Sequence, residues 1–225
     1  MTMISIVVPV LDEAREVARS LGRLQRLRVA GHQVVVVDGG STDGTPRIAA
    51  PLTDRLIQAP RGRARQMNAG AAAAKGSVLL FLHADTTLPE RADRLVLDGM
   101  GSTGRRWGRF DVRLSGRHPL LRLGGRWISA RSRLTGVATG DQAIFIRRDL
   151  FERLGGYPDI PLMEDVALTK ALRRHGRPLC IREPVITSSR RWEERGILRT
   201  MVLMNRLRLA YFLGADPSRL AERYR

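Results

Sequence analysis

The stretch Val78-Leu79-Leu80-Phe81-Leu82-His83-Ala84-Asp85-Thr86-Thr87-Leu88-Pro89 decides how the chain reads. It opens with five apolar residues, which suits a strand buried on both faces and is too short for an ordinary helix. It then changes abruptly to an imidazole, a carboxylate and two hydroxyls, and its proline predicts the first turn of a new helix. Open α/β sheets build sites for phosphorylated ligands from strands of this kind, whose polar residues emerge at the carboxyl end. The expectation is an α/β chain with a mixed, mainly parallel sheet flanked by helices.

Two strands and a shorter third precede this stretch. Ile4-Ser5-Ile6-Val7-Val8-Pro9-Val10 is a β-branched run, with Pro9 expected to fray or bend it because proline cannot donate to a ladder. A helix is expected from Leu11-Asp12-Glu13 to about Leu27, with Leu21, Leu24 and Leu27 on one face and Arg15, Arg19, Arg23 and Arg26 on the other. The second strand, His32 to Val37, runs directly into Asp38-Gly39-Gly40-Ser41-Thr42-Asp43-Gly44-Thr45. A carboxylate at a parallel strand tip can accept two hydrogen bonds from a base or ribose, and the glycines let backbone come close. Helix capping alone accounts for Asp43. It does not account for Asp38, a costly charge at a strand end unless something binds it. After a third strand at Arg55–Gln58, an alanine-rich helix begins near Arg61-Gly62-Arg63-Ala64-Arg65 and carries Asn68. Three arginines at a helix start beside the ligand end of a sheet fit a diphosphate; Asn68 either fixes a ribose or bonds backbone.

Beyond Pro89, an amphipathic helix is expected to Met100, and Trp107–Leu114 alternates like a strand buried on one side. Arg117 to Arg133 reads either as a helix covering the site or as a surface resting on lipid. Gly140 to Arg148 reads as a strand, and Leu179-Cys180-Ile181 as an edge strand. Glu164 and Asp165 stand together at a helix start, one acid more than capping needs. Ile197–Leu213 is apolar nearly all round but carries Arg199, Arg206 and Arg208, too much charge to span a bilayer. Packing on the domain, a homodimer contact and a peripheral helix on anionic lipid are its three readings.

The charge balance is 39 Lys+Arg against 22 Asp+Glu, net +17, almost all of the excess arginine. Such a field favours anionic partners. Nucleic acid is not expected, because only 5% of residues are aromatic and no nucleic-acid-binding signature occurs. A single cysteine, Cys180, excludes an intramolecular disulfide and reads as a small hydrophobe in a reducing compartment. The first residues carry no basic leader region and no run is long and apolar enough to span, so the expected location is cytoplasmic, with peripheral contact at the inner membrane face as the alternative.

Four segments taken together resemble glycosyltransferase family 2, of the GT-A fold: Val8-Pro9-Val10-Leu11-Asp12-Glu13, Val36-Val37-Asp38-Gly39-Gly40-Ser41-Thr42-Asp43-Gly44-Thr45, Gly62-Arg63-Ala64-Arg65-Gln66-Met67-Asn68-Ala69-Gly70 and Phe81-Leu82-His83-Ala84-Asp85. The resemblance implies one domain, 1–225, with a nucleotide-binding half at 1–89 and an acceptor half with C-terminal helices at 90–225. It implies a UDP- or GDP-sugar donor held by Pro9, Glu13, Asp38 and Asp85, with Asp43, Arg63, Arg65, Asn68 and Ala84 in the same site. It also implies a divalent metal, Mn or Mg, at the Asp-x-Asp position. Here that position reads His83-Ala84-Asp85. Asp85 keeps the ligand place, while His83 is either a metal ligand or a nucleotide contact; imidazole suits Mn better than Mg.

Gly155-Gly156-Tyr157 followed by Met163-Glu164-Asp165 is a further resemblance, to the place where inverting members keep their general base. It implies Asp165 as base, Glu164 as its neighbour, and a hydroxyl acceptor of unread identity, lipid-linked or small. Arg191-Trp192 resembles the end of the Gln-x-x-Arg-Trp motif of processive relatives, with Ser188 in the glutamine place, and implies a diphosphate contact for Arg191. Two other classes compete. A nucleotidyltransferase has its arginine loop after the first strand, whereas here it follows the third. A non-catalytic basic protein on membrane or nucleic acid leaves Asp38, Asp85 and Asp165 unexplained.

Overall fold

The computed structural model describes residues 2–224. Strands β1 (Ile4–Val10), β2 (Gln33–Asp38), β3 (Arg55–Gln58) and β4 (Val78–Phe81) pair in parallel. Four more, β5 (Thr86–Thr87), β6 (Trp107–Leu114), β7 (Phe145–Arg147) and β8 (Leu179–Thr187), complete an eight-stranded sheet in the order β3-β2-β1-β4-β7-β6-β8-β5. β7 runs antiparallel to β4 and β6, β8 parallel to β6, and β5 antiparallel to β8. The order reverses between β1 and β4, so the crevice beyond their carboxyl ends is where such a sheet binds ligands.

Alternation along the strands sends side chains to two cores. Ile4, Ile6, Val8 and Val10 of β1 pack on one face with Val17 and Leu21 of α1 (Val17–Gly22), Leu27 of α2 (Gln25–Val29) and Val96 of α5 (Ala92–Thr103). Val7, Val35, Val37 and Phe81 pack on the other with Ala64 and Met67 of α4 (Arg63–Ala73), Leu150 of α7 (Arg148–Arg153) and Leu168 of α8 (Glu164–Leu172). Gln66 of α4 donates through its Nε2 to Val10 O and Val37 O, both at 2.9 Å, and so ties the tips of β1 and β2 together.

Several expectations change. No helix starts at Leu11: Asp12 has φ +52°, and the N–H groups of Asp12, Glu13 and Ala14 donate to Ser41 Oγ, Thr45 Oγ1 and Asp43 Oδ2. The helical pattern up to Leu27 survives as the two short helices α1 and α2, preceded by a loop stitched to the loop after β2 and followed by a separate α3 (Thr45–Ala49). Pro9 does not end β1, which pairs with β2 through Val10. Its missing N–H faces the β4 side, where pairing has already stopped at Val7. Thr86–Thr87 is a strand, and the next helix begins at Ala92 rather than at Pro89. β6 is one-sided only in its second half, where Phe110, Val112 and Leu114 are buried and Arg113 is exposed; its first half is buried on both faces, with Arg109 fully buried and paired to Asp111, which Arg133 also holds at 2.8 Å. Residues 140–142 form a 3-10 turn, and β8 lies inside the sheet between β6 and β5.

The remaining helices, α6 (Pro119–Thr135), α9 (Arg190–Arg195), α10 (Ile197–Phe212) and α11 (Pro217–Tyr224), gather over β6 and the end of β8. α6 buries Leu121, Gly124, Gly125 and Ile128 and exposes Leu123 and Trp127. α10 packs inward through Thr200, Leu207 and Arg208, and leaves Leu198, Val202, Leu209 and Phe212 exposed. Among the described residues no helix is long and apolar enough to cross a membrane.

Gly70 of α4 tests the packing of this helix on the sheet. A Cβ at that position would overlap the Val7 and Val37 side chains. The better helix propensity of alanine contributes about 1 kcal/mol, less than the one to three or so that overpacking β-branched neighbours costs. Gly70→Ala is therefore expected to lower stability by about 1–2 kcal/mol, seen as a lower denaturant midpoint with an unchanged slope.

Candidate active site

The site is assembled from strand tips and the helices that follow them. At the tip of β2, Asp38 is 1% exposed. Its Oδ2 accepts from the N–H groups of Gly40 and Ser41, each at 3.0 Å, while Oδ1 is buried without a partner. A buried, unpaired acceptor costs about 1–3 kcal/mol, which an N–H or O–H of a bound ligand would recover. Asp43 next door has a different job. Its carboxylate accepts from Ala14 N, Thr45 N and Thr45 Oγ1, and the threonine hydroxyl and then the Ala14 N–H hold it below the usual carboxylate range. It is the stitch between two loops.

Glu13 follows β1, and burial, then the charge of Asp85, push its carboxyl upward, with Arg190 opposing. Asp85 follows β4, is exposed, and accepts from Thr86 Oγ1 at 3.2 Å and Thr187 Oγ1 at 3.5 Å. Burial and then the Arg63 charge push the His83 imidazole below its usual value, so the ring is neutral at pH 7. Its Nε2 lies against Gly140, where an added Cβ would come within 2.6 Å of it.

Across from these tips, Asp165 stands in the first turn of α8. Its Oδ2 accepts from Gly140 N at 2.6 Å and its Oδ1 from Val166 N at 2.7 Å, which fixes the carboxylate. Glu164 is 5% exposed. Burial, then the Asp165 charge, push its carboxyl up to about 7, with Arg63 acting against them. A cavity of about 300 Å³ brings together Glu13, Arg63, His83, Asp85, Glu164 and Asp165. A larger, shallower cleft of about 760 Å³ shares Glu13, Asp85 and Arg190 with it and is lined by Ala84, Arg19, Arg23 and Arg26. The smaller cavity holds the acids of α8 and is the candidate active site.

Not every residue read from the sequence reaches this cavity. Arg63 does; Arg65 instead pairs with Asp159 at 2.9 Å on the surface. Asn68 spends both amide ends on the backbone of Tyr157, at 2.8 and 2.9 Å, and is a clamp on the loop before α8. Pro9 and Asp38 line neither cavity. Arg191 lines the smaller cavity and stacks on the Tyr224 ring, 4.5 Å from its centroid. Four charged residues there escaped the sequence reading: Arg131, Asp141, Arg190 and Arg208. For Asp141 a signal existed. Thr139-Gly140-Asp141-Gln142 has the capping-box spacing, and the Thr139 N–H donates to Gln142 Oε1 at 3.2 Å.

Among the described residues, no three His, Cys, Asp or Glu side chains converge as a closed metal site. The donor set nevertheless suits a hard cation that keeps oxygens from a diphosphate and water: Asp85 is exposed, and its charge is felt by the Glu13 carboxyl.

The strand order, the reversal at β1 and β4 and the acids at the strand tips define a nucleotide-sugar type α/β fold. Residues 5–153 match the model of glycosyl transferase family 2, and the chain belongs to that family. A PGL/p-HBAD biosynthesis glycosyltransferase of Mycobacterium bovis is 34% identical over 180 residues, covering 69% of this chain and 63% of that protein. The chain thus spans less than two thirds of the length of that relative. In fold it is similar to a mannosyltransferase from Pyrobaculum calidifontis solved with GDP-Man and Mn2+, with TM-score 0.61 and 23% identity over 82% of this chain and 56% of that one. It is also similar to glucosyl-3-phosphoglycerate synthase from Mycobacterium tuberculosis, solved with Mn2+, UDP and glucosyl-3-phosphoglycerate, with TM-score 0.62 and 20% identity over 90% of this chain and 78% of that one. The fold is GT-A.

The raised Glu164 carboxyl has a consequence for stability. Below the unfolded value of 4.5 it is protonated in both states and costs nothing. As pH rises from there through about 7, the unfolded chain ionises first and folding loses free energy, up to about 3 kcal/mol. Glu164→Gln is therefore expected to melt higher than the parent at pH 8 and equally at pH 4, read by thermal melts across that range.

Proposed function

We propose that the protein is an inverting glycosyltransferase that moves a sugar from a nucleoside-diphosphate donor to a hydroxyl acceptor. The observation that carries this reading is the Asp165 carboxylate, held by two backbone N–H groups in the wall of the cavity that Asp85 also lines. Residues 1–89 form the donor half and 90–225 the acceptor half. The base or ribose donates to the unpaired Oδ1 of Asp38, and the diphosphate lies toward Asp85, Arg63, Arg190 and Arg191. The GDP and UDP donors of the structural neighbours support a UDP or GDP sugar, and their Mn2+ supports a divalent cation bound by Asp85. Such a cation neutralises charge on the leaving diphosphate.

In the reaction, the acceptor oxygen attacks the anomeric carbon as the bond from that carbon to the diphosphate oxygen breaks. The hydroxyl proton passes to Asp165. Both Asp165 oxygens also accept backbone hydrogen bonds, so the carboxylate meets the acceptor in one orientation and loses little freedom on binding it. Glu164, with its carboxyl near 7, is protonated over much of the physiological range below that value and spares Asp165 a second negative neighbour. Arg63, Arg190 and Arg191 receive the charge that develops on the leaving group. His83, neutral and set against Gly140, shapes the floor between donor and acceptor.

Asp165→Asn keeps the shape and removes the base. It is expected to lower nucleoside-diphosphate release from the donor by about 10²–10⁴-fold while leaving nucleotide binding intact. Undiminished turnover in that variant would remove Asp165 from the role. Gly140→Ala is expected to lower turnover by at least about tenfold, because the added methyl displaces either the His83 ring or the N–H that holds Asp165.

A further inference from the structure

Two guanidinium groups in the smaller cavity have no partner. Arg208 of α10 is 6% exposed, and Arg131 of α6 lines the same cavity. The Nη1 of Arg208 and the Nε and Nη2 of Arg131 are buried without a hydrogen-bond acceptor. Burial and then the charge of Arg208 push Arg131 down to about 10, and burial also lowers Arg208. The acids whose charges reach both groups are Asp141 and Asp165, and neither is hydrogen-bonded to them. A buried guanidinium without a partner is costly to keep, and two side by side repel as well. Arg208 stands on the buried face of α10 with Thr200 and Leu207, and Arg131 is half-buried on α6.

We propose that Arg131 and Arg208 form an oxyanion-binding subsite for the acceptor, so that the acceptor carries a carboxylate or phosphate close to the hydroxyl that is glycosylated. This rests on the transferase reading above. The planar forks of two arginines supply several N–H donors to one oxyanion, with strength a lysine could not match in geometry. They line the same cavity as Asp165 and Asp85, and the acids whose charges reach both of them are Asp141 and Asp165. The cavity wall also contributes apolar surface from Ile128, Leu162, Met163 and Met204, and apolar surroundings strengthen a charge-assisted bond. An acceptor anion would repair three unpaired donors at once. It would also place its neighbouring hydroxyl beside Asp165.

The test uses the full chain loaded with Mn2+ and whichever nucleoside diphosphate it binds, so that the donor pocket is filled before anions are added. Inorganic phosphate and glycolate are then titrated by thermal shift against the parent, Arg208→Met and Arg131→Met. The expected result is a rise in melting temperature of the parent with at least one of the two anions. Each variant should weaken that response by about tenfold or more, with the nucleotide response unchanged. A response to phosphate alone identifies a phosphorylated acceptor, and one to glycolate alone a carboxylic acid. Without ligand, Arg208→Met should melt at or above the parent, because it removes a buried unpaired charge. An anion response equal in the parent and both variants, or absent from the parent, overturns the subsite. Loss of the nucleotide response in a folded Arg208→Met assigns the pair to the donor and also overturns it. If the parent binds no nucleotide, the donor reading fails separately; an anion response of the free protein that Arg208→Met abolishes still supports the subsite.

Discussion

The short link between β4 and β5 constrains the rest of the molecule. β5 stands four places from β4 in the sheet, which at about 4.8 Å per strand is about 19 Å in a flat sheet. Only Leu82-His83-Ala84-Asp85 joins them. Five steps of fully extended chain reach at most about 18 Å, and this segment is not extended, since Thr86 N donates to His83 O. The sheet must therefore twist and curl until the end of β8 comes over the tip of β4. That curl sets Thr187 against Asp85 and delivers Arg190 and Arg191 to the cavity. One four-residue connection thus brings the two edges of the site together.

The local part of this architecture was legible in the sequence. β1, β2 and β4 are nearly continuous apolar runs, and their polar ends carry Asp38 and Asp85 as expected. The helix expected from Leu11 failed because its polar groups bind a distant loop: Ser41, Asp43 and Thr45 capture the backbone of Asp12, Glu13 and Ala14. Thr86–Thr87 was unreadable for a related reason, since two threonines become a strand only when β8 arrives beside them. At the site, Glu164 and Asp165 announced themselves as adjacent acids. Arg131 and Arg208 did not, because each is one arginine among many and only the packing of α6 against α10 buries them together.

The net charge of +17 divides along the same line. Part of it is structural: Arg109 and Arg133 share Asp111 inside β6 and α6, Arg65 pairs with Asp159, and Arg106, Arg147 and Arg153 surround Asp149. The exposed members of these sets contribute little to stability, at most about 1 kcal/mol each. The arginines at the cavity wall, Arg63, Arg131, Arg190, Arg191 and Arg208, are in none of these ion pairs. Overall basicity is thus a weaker guide to function here than the few guanidiniums that the fold buries unpaired.

Binding of a nucleoside diphosphate at the strand tips is the central claim, and a thermal-shift comparison of UDP, GDP and their sugars with and without Mn2+ tests it most directly. Ligand at a hundred times its dissociation constant stabilises the native state by about 2.7 kcal/mol. The account predicts a metal-dependent rise in melting temperature with one of the two bases, lost in Asp85→Ala. No shift with any nucleotide at millimolar concentration, or a shift that Asp85→Ala leaves undiminished, would contradict it.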